Sequence, residues 1–211
     1  MMIKEACVFN ILEALNAVKL GANRIELCEN TTCGGTTPSY GTIKVLKETL
    51  NVPIVVMIRP RCGDFVYSDL EFKAMKEDIK LCRSLGVEGV VFGILKDDHE
   101  IDIDRTKELL SLADSLKVTF HKAIDETCDI RSSVIKLLDI GVHRILTSGG
   151  GMKAEDSLIV LRDLILIAGE ELEIVVAGEV NKYNIDNIDA ILCSRAYHGR
   201  LIVGDLGLQL F

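Results

Sequence analysis

Short apolar runs alternate along this chain with longer segments whose apolar positions recur at helical spacing. Glu5-Ala6-Cys7 and Glu26-Leu27-Cys28 each close one of these short runs and predict two strands. Between them, Ile11-Leu12-Glu13-Ala14-Leu15-Asn16-Ala17-Val18 predicts a helix that stops at Gly21. A strand–helix–strand unit of this kind is almost always parallel, with its strands adjacent. The same junction recurs at Leu20-Gly21-Ala22, Leu85-Gly86-Val87 and Ile140-Gly141-Val142, each time a helix-ending glycine followed by a β-rich run. Further strands are expected at Ile54-Val55-Val56-Met57-Ile58, Val118-Thr119-Phe120-His121, Ile174-Val175-Val176 and around Ala196-Tyr197-His198. Helices are expected from Asp69 to Leu85, Asp104 to Leu116, Ile130 to Gly141 and Ala154 to Ala168. Acidic residues open two of them, where the helix dipole favours negative charge.

Serial βα units, about eight strands with about seven helices, predict an α/β fold of TIM type: a compact (β/α)8 barrel. The barrel is expected to form one domain over residues 1–211, with its last helix reduced or missing because little chain follows His198. An open doubly wound sheet is the alternative, but its glycine-rich first turn, G-x-G-x-x-G, is absent. Polar residues gather after the strands, as expected for a barrel with its site at the C-terminal face.

Composition narrows the partners. A chain of 211 residues, 48% hydrophobic and 27% charged, reads as an ordinary globular protein. A net charge of −8 argues against a broad nucleic-acid surface. No apolar stretch approaches the roughly 20 residues of a membrane span, and the first residues carry no apolar core resembling a signal peptide. Seven scattered cysteines, an odd number, read as reduced thiols rather than a disulfide framework, so a cytoplasmic location is expected.

Alternation along a strand puts Glu5 with Cys7, and Glu26 with Cys28, on one face. Two carboxylates and two thiols are thus expected to line one end of a shared cavity. The loop after the second strand, Glu29 to Gly41, carries Gly34 and Gly35 and ends with Ser39 as a helix cap. The loop after the third carries Arg59-Pro60-Arg61, which reads as an anion clamp. His121 ends the fifth strand as the acid–base candidate, with Lys122, Asp125 and Glu126 following. Ser148-Gly149-Gly150-Gly151 after the sixth strand can cradle an anion or simply make a tight turn.

Plainer readings accompany each of these. Glu5 and Glu26 can belong to a structural ion-pair network with Arg59 and Arg144, and His121 can be a hydrogen-bonded core residue. Cys82, Cys128 and Cys193 are expected to pack as small hydrophobes. His99 and His143 are expected in surface or turn positions, while His198 joins the cavity if the last strand is placed correctly.

At this point the chain resembles the CutC family of copper homeostasis barrels. The resemblance rests on Arg24-Ile25-Glu26-Leu27-Cys28, Gly34-Gly35-Thr36-Thr37-Pro38-Ser39, Val56-Met57-Ile58-Arg59-Pro60-Arg61 and Gly63-Asp64-Phe65-Val66-Tyr67-Ser68-Asp69. Gly89-Val90-Val91-Phe92-Gly93, Val118-Thr119-Phe120-His121 and Arg144-Ile145-Leu146-Thr147-Ser148-Gly149 extend it over roughly Lys4 to His198. It implies a cytoplasmic barrel that binds Cu(I), with Cys7 and Cys28 as the metal cysteines. Cys33 and Cys62 depart from the family pattern, as does Lys122, and Cys33 and Cys62 can extend a thiol cluster at the mouth.

Two functions follow as expectations. The first is copper homeostasis through Cu(I) held by Cys7 and Cys28, thiolates that suit a soft ion. The second is a barrel enzyme acting on a small anionic metabolite, with Arg59, Arg61, Ser39, Arg144, Ser148 and Gly149 binding the anion. In that reading His121, Glu26 and Asp125 move protons or orient the substrate. A third reading, a structural barrel acting through a protein partner, would use neither thiols nor arginines. A homodimer or higher homo-oligomer is expected for a barrel.

Overall fold

The computed structural model describes residues 2–207; residue 1 and residues 208–211 of the expected single domain lie outside the described residues. Eight parallel strands close into a barrel in chain order: β1 (Ile3–Val8), β2 (Arg24–Leu27), β3 (Ile54–Met57), β4 (Gly89–Phe92), β5 (Lys117–Phe120), β6 (Arg144–Thr147), β7 (Glu173–Val176) and β8 (Ala196–Gly199). Helices α1 (Ile11–Lys19), α2 (Tyr40–Thr49), α3 (Asp69–Leu85), α4 (Ile103–Ala113), α5 (Ile130–Asp139), α6 (Leu158–Ala168) and α7 (Ile185–Leu192) fill the connections. Among the described residues no helix follows β8, where the chain runs through turns and irregular segments to residue 207. The helix expected from Ala154 divides into a 3-10 turn, Ala154–Ser157, followed by α6.

The local signals are visible at the helix ends. Ser68 caps α3 in a reciprocal box with Glu71, and Gly86 stops the helix at φ 65, in the left-handed region. Asn10, Ser39, Asp102 and Asp129 cap α1, α2, α4 and α5 through their side chains.

Strand alternation splits the buried residues into two layers. Ala6, Val8, Ile25, Leu27, Val56, Val90 and Phe92 belong to the large core between barrel and helices. Cys7, Cys28, Val55, Met57 and Val91 form a separate cluster inside the barrel, and Leu146, Val175, Ala177 and Ala196 form another. Between these clusters the barrel interior is charged. Register explains why: Glu5 lies beside Arg24 on one flank and His198 on the other, and Arg144 lies beside Glu173. The Arg24 guanidinium bonds Glu5 through Nε and Glu173 through Nη2, the latter at 2.9 Å. Arg144 reaches Glu173 at 3.4 Å and Glu88 at 3.6 Å.

Removing Arg24 takes the guanidinium partner from the buried Glu5 and leaves the part-buried Glu173 only Arg144. Arg24→Leu is expected to lower stability by about 3–5 kcal/mol, read from urea denaturation. Lys80→Ala, which breaks only the exposed pair with Glu77, is expected to cost less than about 1 kcal/mol. Equal midpoints for the two variants would refute the network's structural role.

Candidate metal and ligand site

The C-terminal ends of β1, β2 and β8 build the floor of the site. Burial opposes ionisation of Glu5, but Arg24 and then His198 outweigh it and hold the carboxyl at about 2. Its second oxygen takes His198 Nδ1 at 2.8 Å, which leaves the other ring nitrogen facing Glu26 Oε2 at 3.8 Å. Cys7 is the neighbour of Glu26 across the strands. Its sulfur lies 4.0 Å from that of Cys28, and the Cys28 thiol points to Glu26 Oε2 at 3.6 Å. Cys7, Glu26 and His198 each offer a ligand atom, all within 4.8 Å of one another.

The electrostatics divide these groups. The contact with the Cys28 sulfur, with His198 behind it, outweighs burial and draws the Cys7 thiol down to about 5. Cys28 is pushed up by that same contact and by burial. Burial raises Glu26 well above the usual carboxylate range, and the Cys7 charge adds to it. Burial works against a charged His198, yet Glu26, Cys7 and Glu5 raise its pKa. The arrangement sets a thiol of lowered pKa beside a histidine of raised pKa, with a second thiol and a carboxyl whose pKa values are both raised. A soft ion can span the two sulfurs, and His198, oriented from behind by a carboxylate, has the geometry of an anchored metal ligand.

His121, one residue past β5, forms the opposite wall. Its Nδ1 accepts from Ala123 N at 3.1 Å, so the ring proton sits on Nε2, which has no partner. Gly93 permits this placement, because a Cβ there would lie 2.5 Å from Nδ1. Glu26 Oε1 is likewise buried without a partner. Both residues line a cavity of about 110 Å³ together with Cys7, Phe65 and His198, opening toward a mouth of about 600 Å³.

The expected anion clamp differs from what the structure holds. Arg59 is buried and spends its guanidinium on the carbonyls of Cys33, Gly35 and Gly63, at 2.8, 3.1 and 2.6 Å. Arg61 bonds Glu71, Asp64 and the Val66 carbonyl. Arg61 is thereby saturated by the protein's own oxygens, whereas Arg59 keeps one buried donor without a partner, its Nε, on the wall of the inner cavity. The glycine loop after β6 is occupied in the same way: Asp125 accepts from Ser148 N, Ser148 Oγ and Gly150 N, and from the Thr147 hydroxyl. Gly149 N bonds the same Thr147 hydroxyl. Ser148 and Gly149 therefore wrap an internal carboxylate. Ser39 caps α2 and is exposed. Arg144 opens β6 at the barrel's far end, paired with Glu173, so it joins neither the mouth nor Glu5 and Glu26.

Several cysteines also differ from expectation. Cys82 is fully buried, but Cys128 and Cys193 are exposed. Cys128 lies just before the Asp129 cap, and Cys193 takes the left-handed position ending α7. Cys33 and Cys62 are joined in a disulfide, so the seven thiols are not all free. His99 is exposed and His143 sits in the turn before β6. Arg24 is the functional residue missed as Glu5's partner; the period-two pattern Arg24, Glu26, Cys28 pointed to it.

Comparison with known proteins agrees with this architecture. The CutC family model matches residues 2–202. A Homo sapiens relative, "Copper homeostasis protein cutC homolog", is 40% identical over 186 residues, 88% of this chain and 68% of its own. A family protein CutC of Vibrio atlanticus is 40% identical over 196 residues, 92% of this chain and 79% of its own. The crystal structure of a CutC protein from Streptococcus agalactiae superposes with a TM-score of 0.91 at 34% identity, covering 96% of this chain and 100% of that one. This chain belongs to the CutC family of copper homeostasis proteins.

Proposed function

We propose that this barrel binds Cu(I) through Cys7 and Cys28, with His198 and Glu26 completing a buried donor pocket. The observation that carries the reading is the pair of sulfurs 4.0 Å apart in a cluster anchored by Glu5 and Arg24. Thiolates favour Cu(I), which tolerates few ligands. The alternative barrel enzyme draws support from a different observation: Glu26 Oε1 and His121 Nε2, an acceptor and a donor without partners, line one cavity. In that form the ligand is a small molecule that accepts from neutral His121 and from the unpartnered Arg59 Nε of the same cavity, since Arg61 is engaged elsewhere.

A cytoplasmic setting fits reduced Cys7 and Cys28. A homodimer fits Ile159 and Leu166, seven residues apart on α6 and exposed at 80% and 73%. Among the described residues no helix is long and apolar enough to cross a membrane.

Anaerobic Cu(I) competition titration of the chain with its disulfide intact is expected to show tight binding, lost in Cys7→Ser/Cys28→Ser. Glu5→Gln, which removes the carboxylate behind His198, is expected to weaken binding by about 10–100-fold. Unchanged affinity in the double variant removes the site, and unchanged affinity in Glu5→Gln removes the anchoring role.

His121 gives a pH test. Burial, and then the Arg59 charge, push its pKa from 6.5 down to about 3, so the folded ring is neutral where the unfolded ring takes up a proton. Its contribution to stability is complete above pH 6.5 and is lost as pH falls toward 3. Relative to wild type, His121→Asn is expected to lose less stability between about pH 7 and about pH 5, followed by urea unfolding. Parallel losses in the two proteins would show that the ring titrates alike in the folded and unfolded states, and so overturn the lowered pKa. A thermal-shift screen of small carboxylates and phosphate esters is expected to yield stabilisers that fail on His121→Ala; a screen without any leaves the enzyme reading unsupported.

A further inference from the structure

Cys33 closes the short turn after β2, Cys62 lies in the loop after β3, and their disulfide ties the two loops across the barrel mouth. The same loops are tied independently of that bond. Arg59 holds the carbonyl of Cys33 through Nη1 and that of Gly63, the residue after Cys62, through Nη2. Thr37 bonds Arg59 through both backbone and hydroxyl, at 3.0 and 2.9 Å. Arg61 adds a bond to the Cys62 carbonyl at 3.1 Å, and Asn30 Nδ2 reaches the Cys62 sulfur at 3.2 Å. With the Cα atoms 5.5 Å apart and both segments clasped by guanidinium groups, opening the S–S bond leaves the two sulfurs facing each other. A dithiol preorganised in this way is a chelate for a soft ion, because little ordering entropy remains to be lost on binding.

Position adds a second argument. Cys62 is exposed and Cys33 half-buried, whereas Cys28 is fully buried. Cys28 lies directly beneath the Cys33 loop: a Cβ on Gly35 would meet its sulfur at 3.1 Å. Gly34, next to Cys33, lines both the mouth and the inner cavity, as does Cys7. The Cys33 loop, through Gly34 and Gly35, thus lies directly against the inner pair.

We propose that Cys33 and Cys62 form a second soft-metal site at the barrel mouth, open to Cu(I) as a dithiol and closed to it as a disulfide. The proposal rests on the Cu(I) reading of the inner pair for its choice of ion. Opening consumes a dithiol reductant: two electrons and two protons pass to the Cys33–Cys62 bond, which breaks to two thiols, while the reductant's sulfurs join in a disulfide. Binding of Cu(I) then releases the two thiol protons to solvent.

The test is anaerobic Cu(I) titration against a chromophoric chelator, on oxidised protein and on protein reduced and then freed of reductant. Reduced wild type is expected to take up a second ion that the oxidised form does not. Cys33→Ser/Cys62→Ser is expected to hold a single ion in either state, and Cys7→Ser/Cys28→Ser a single ion only when reduced. A reduced wild type that gains no ion, or a second ion that persists in Cys33→Ser/Cys62→Ser, overturns the outer site. A Cys7→Ser/Cys28→Ser protein that matches wild type in both states overturns the inner reading alone. A measurement free of variants is alkylation mapped by mass spectrometry: Cu(I) is expected to protect Cys33 and Cys62 in reduced wild type while the exposed Cys128 and Cys193 stay reactive. Equal labelling of Cys62 with and without Cu(I) also overturns the outer site.

Discussion

Glu5 is a carboxylate inside a barrel, and its pairing with Arg24 is the constraint on which the site depends. An ion buried alone is far too costly to keep charged. Arg24 on one oxygen, and Glu173 on the far side of Arg24, supply the compensation. That leaves the second oxygen of Glu5 free to fix His198, the only partner its position in β8 can offer, since register sets the two residues side by side. The ring is thereby turned so that its other nitrogen faces Glu26 and Cys7. A structural ion pair at mid-barrel thus determines the orientation of a functional group one layer above it. The charged layer is weak evidence for added stability in itself, because an apolar filling of equal volume can serve as well. Its specific contribution is direction.

The two thiols above this layer are chemically unequal although they come from matching tripeptides. The contact between the two sulfurs, with His198 behind it, draws Cys7 down to about 5, while the same contact and burial raise Cys28. Joining both to one ion requires the Cys28 proton to leave, so metal capture is coupled to proton release. Glu26, within hydrogen-bond contact of Cys28 and carrying an unpartnered oxygen, is placed to accept or pass on that proton.

Much of this was legible from short-range pattern. Helix-ending glycines and capping residues give the βα rhythm, and period-two alternation puts Glu5, Cys7, Glu26 and Cys28 on the inner face, because both signals are local. The partners were less legible, since pairing depends on register between strands far apart in sequence. Glu5 was expected to pair with Arg59 or Arg144, yet register sets Arg24 beside it, Arg144 meets Glu173 and Glu88 instead, and Arg59 lies beyond the end of its strand among loop carbonyls. The Arg59-Pro60-Arg61 segment looked like an anion clamp because composition cannot reveal whether a guanidinium is already satisfied. Asp125 presents the same difficulty: the glycine loop after β6 does bind a carboxylate, but one supplied from the preceding connection. The exposed Cys128 and Cys193 mislead for the opposite reason, being placed by cap and turn geometry rather than by apolar spacing.

The internal saturation of the mouth has a consequence for selectivity. Arg59, Arg61 and Asp125 are all charged, lie near the opening and are consumed by loop carbonyls, backbone amides or opposite charges. The charges the rim shows to solvent, Lys122, Glu179 and Arg200, each lie beside an opposite charge. Deeper in the cavity lie the unpaired Arg59 Nε, the His121 Nε2–H, one oxygen of Glu26 and the free sulfurs of Cys7 and Cys28. A strongly hydrated cation or phosphate would have to give up its water without finding matching charge at the rim. A soft ion carried by thiols, or a compact ligand with a single acceptor, faces no such cost. On the proposed Cu(I) reading, the loop clasp that looks like mere scaffolding would select by hydration and softness ahead of the buried thiols.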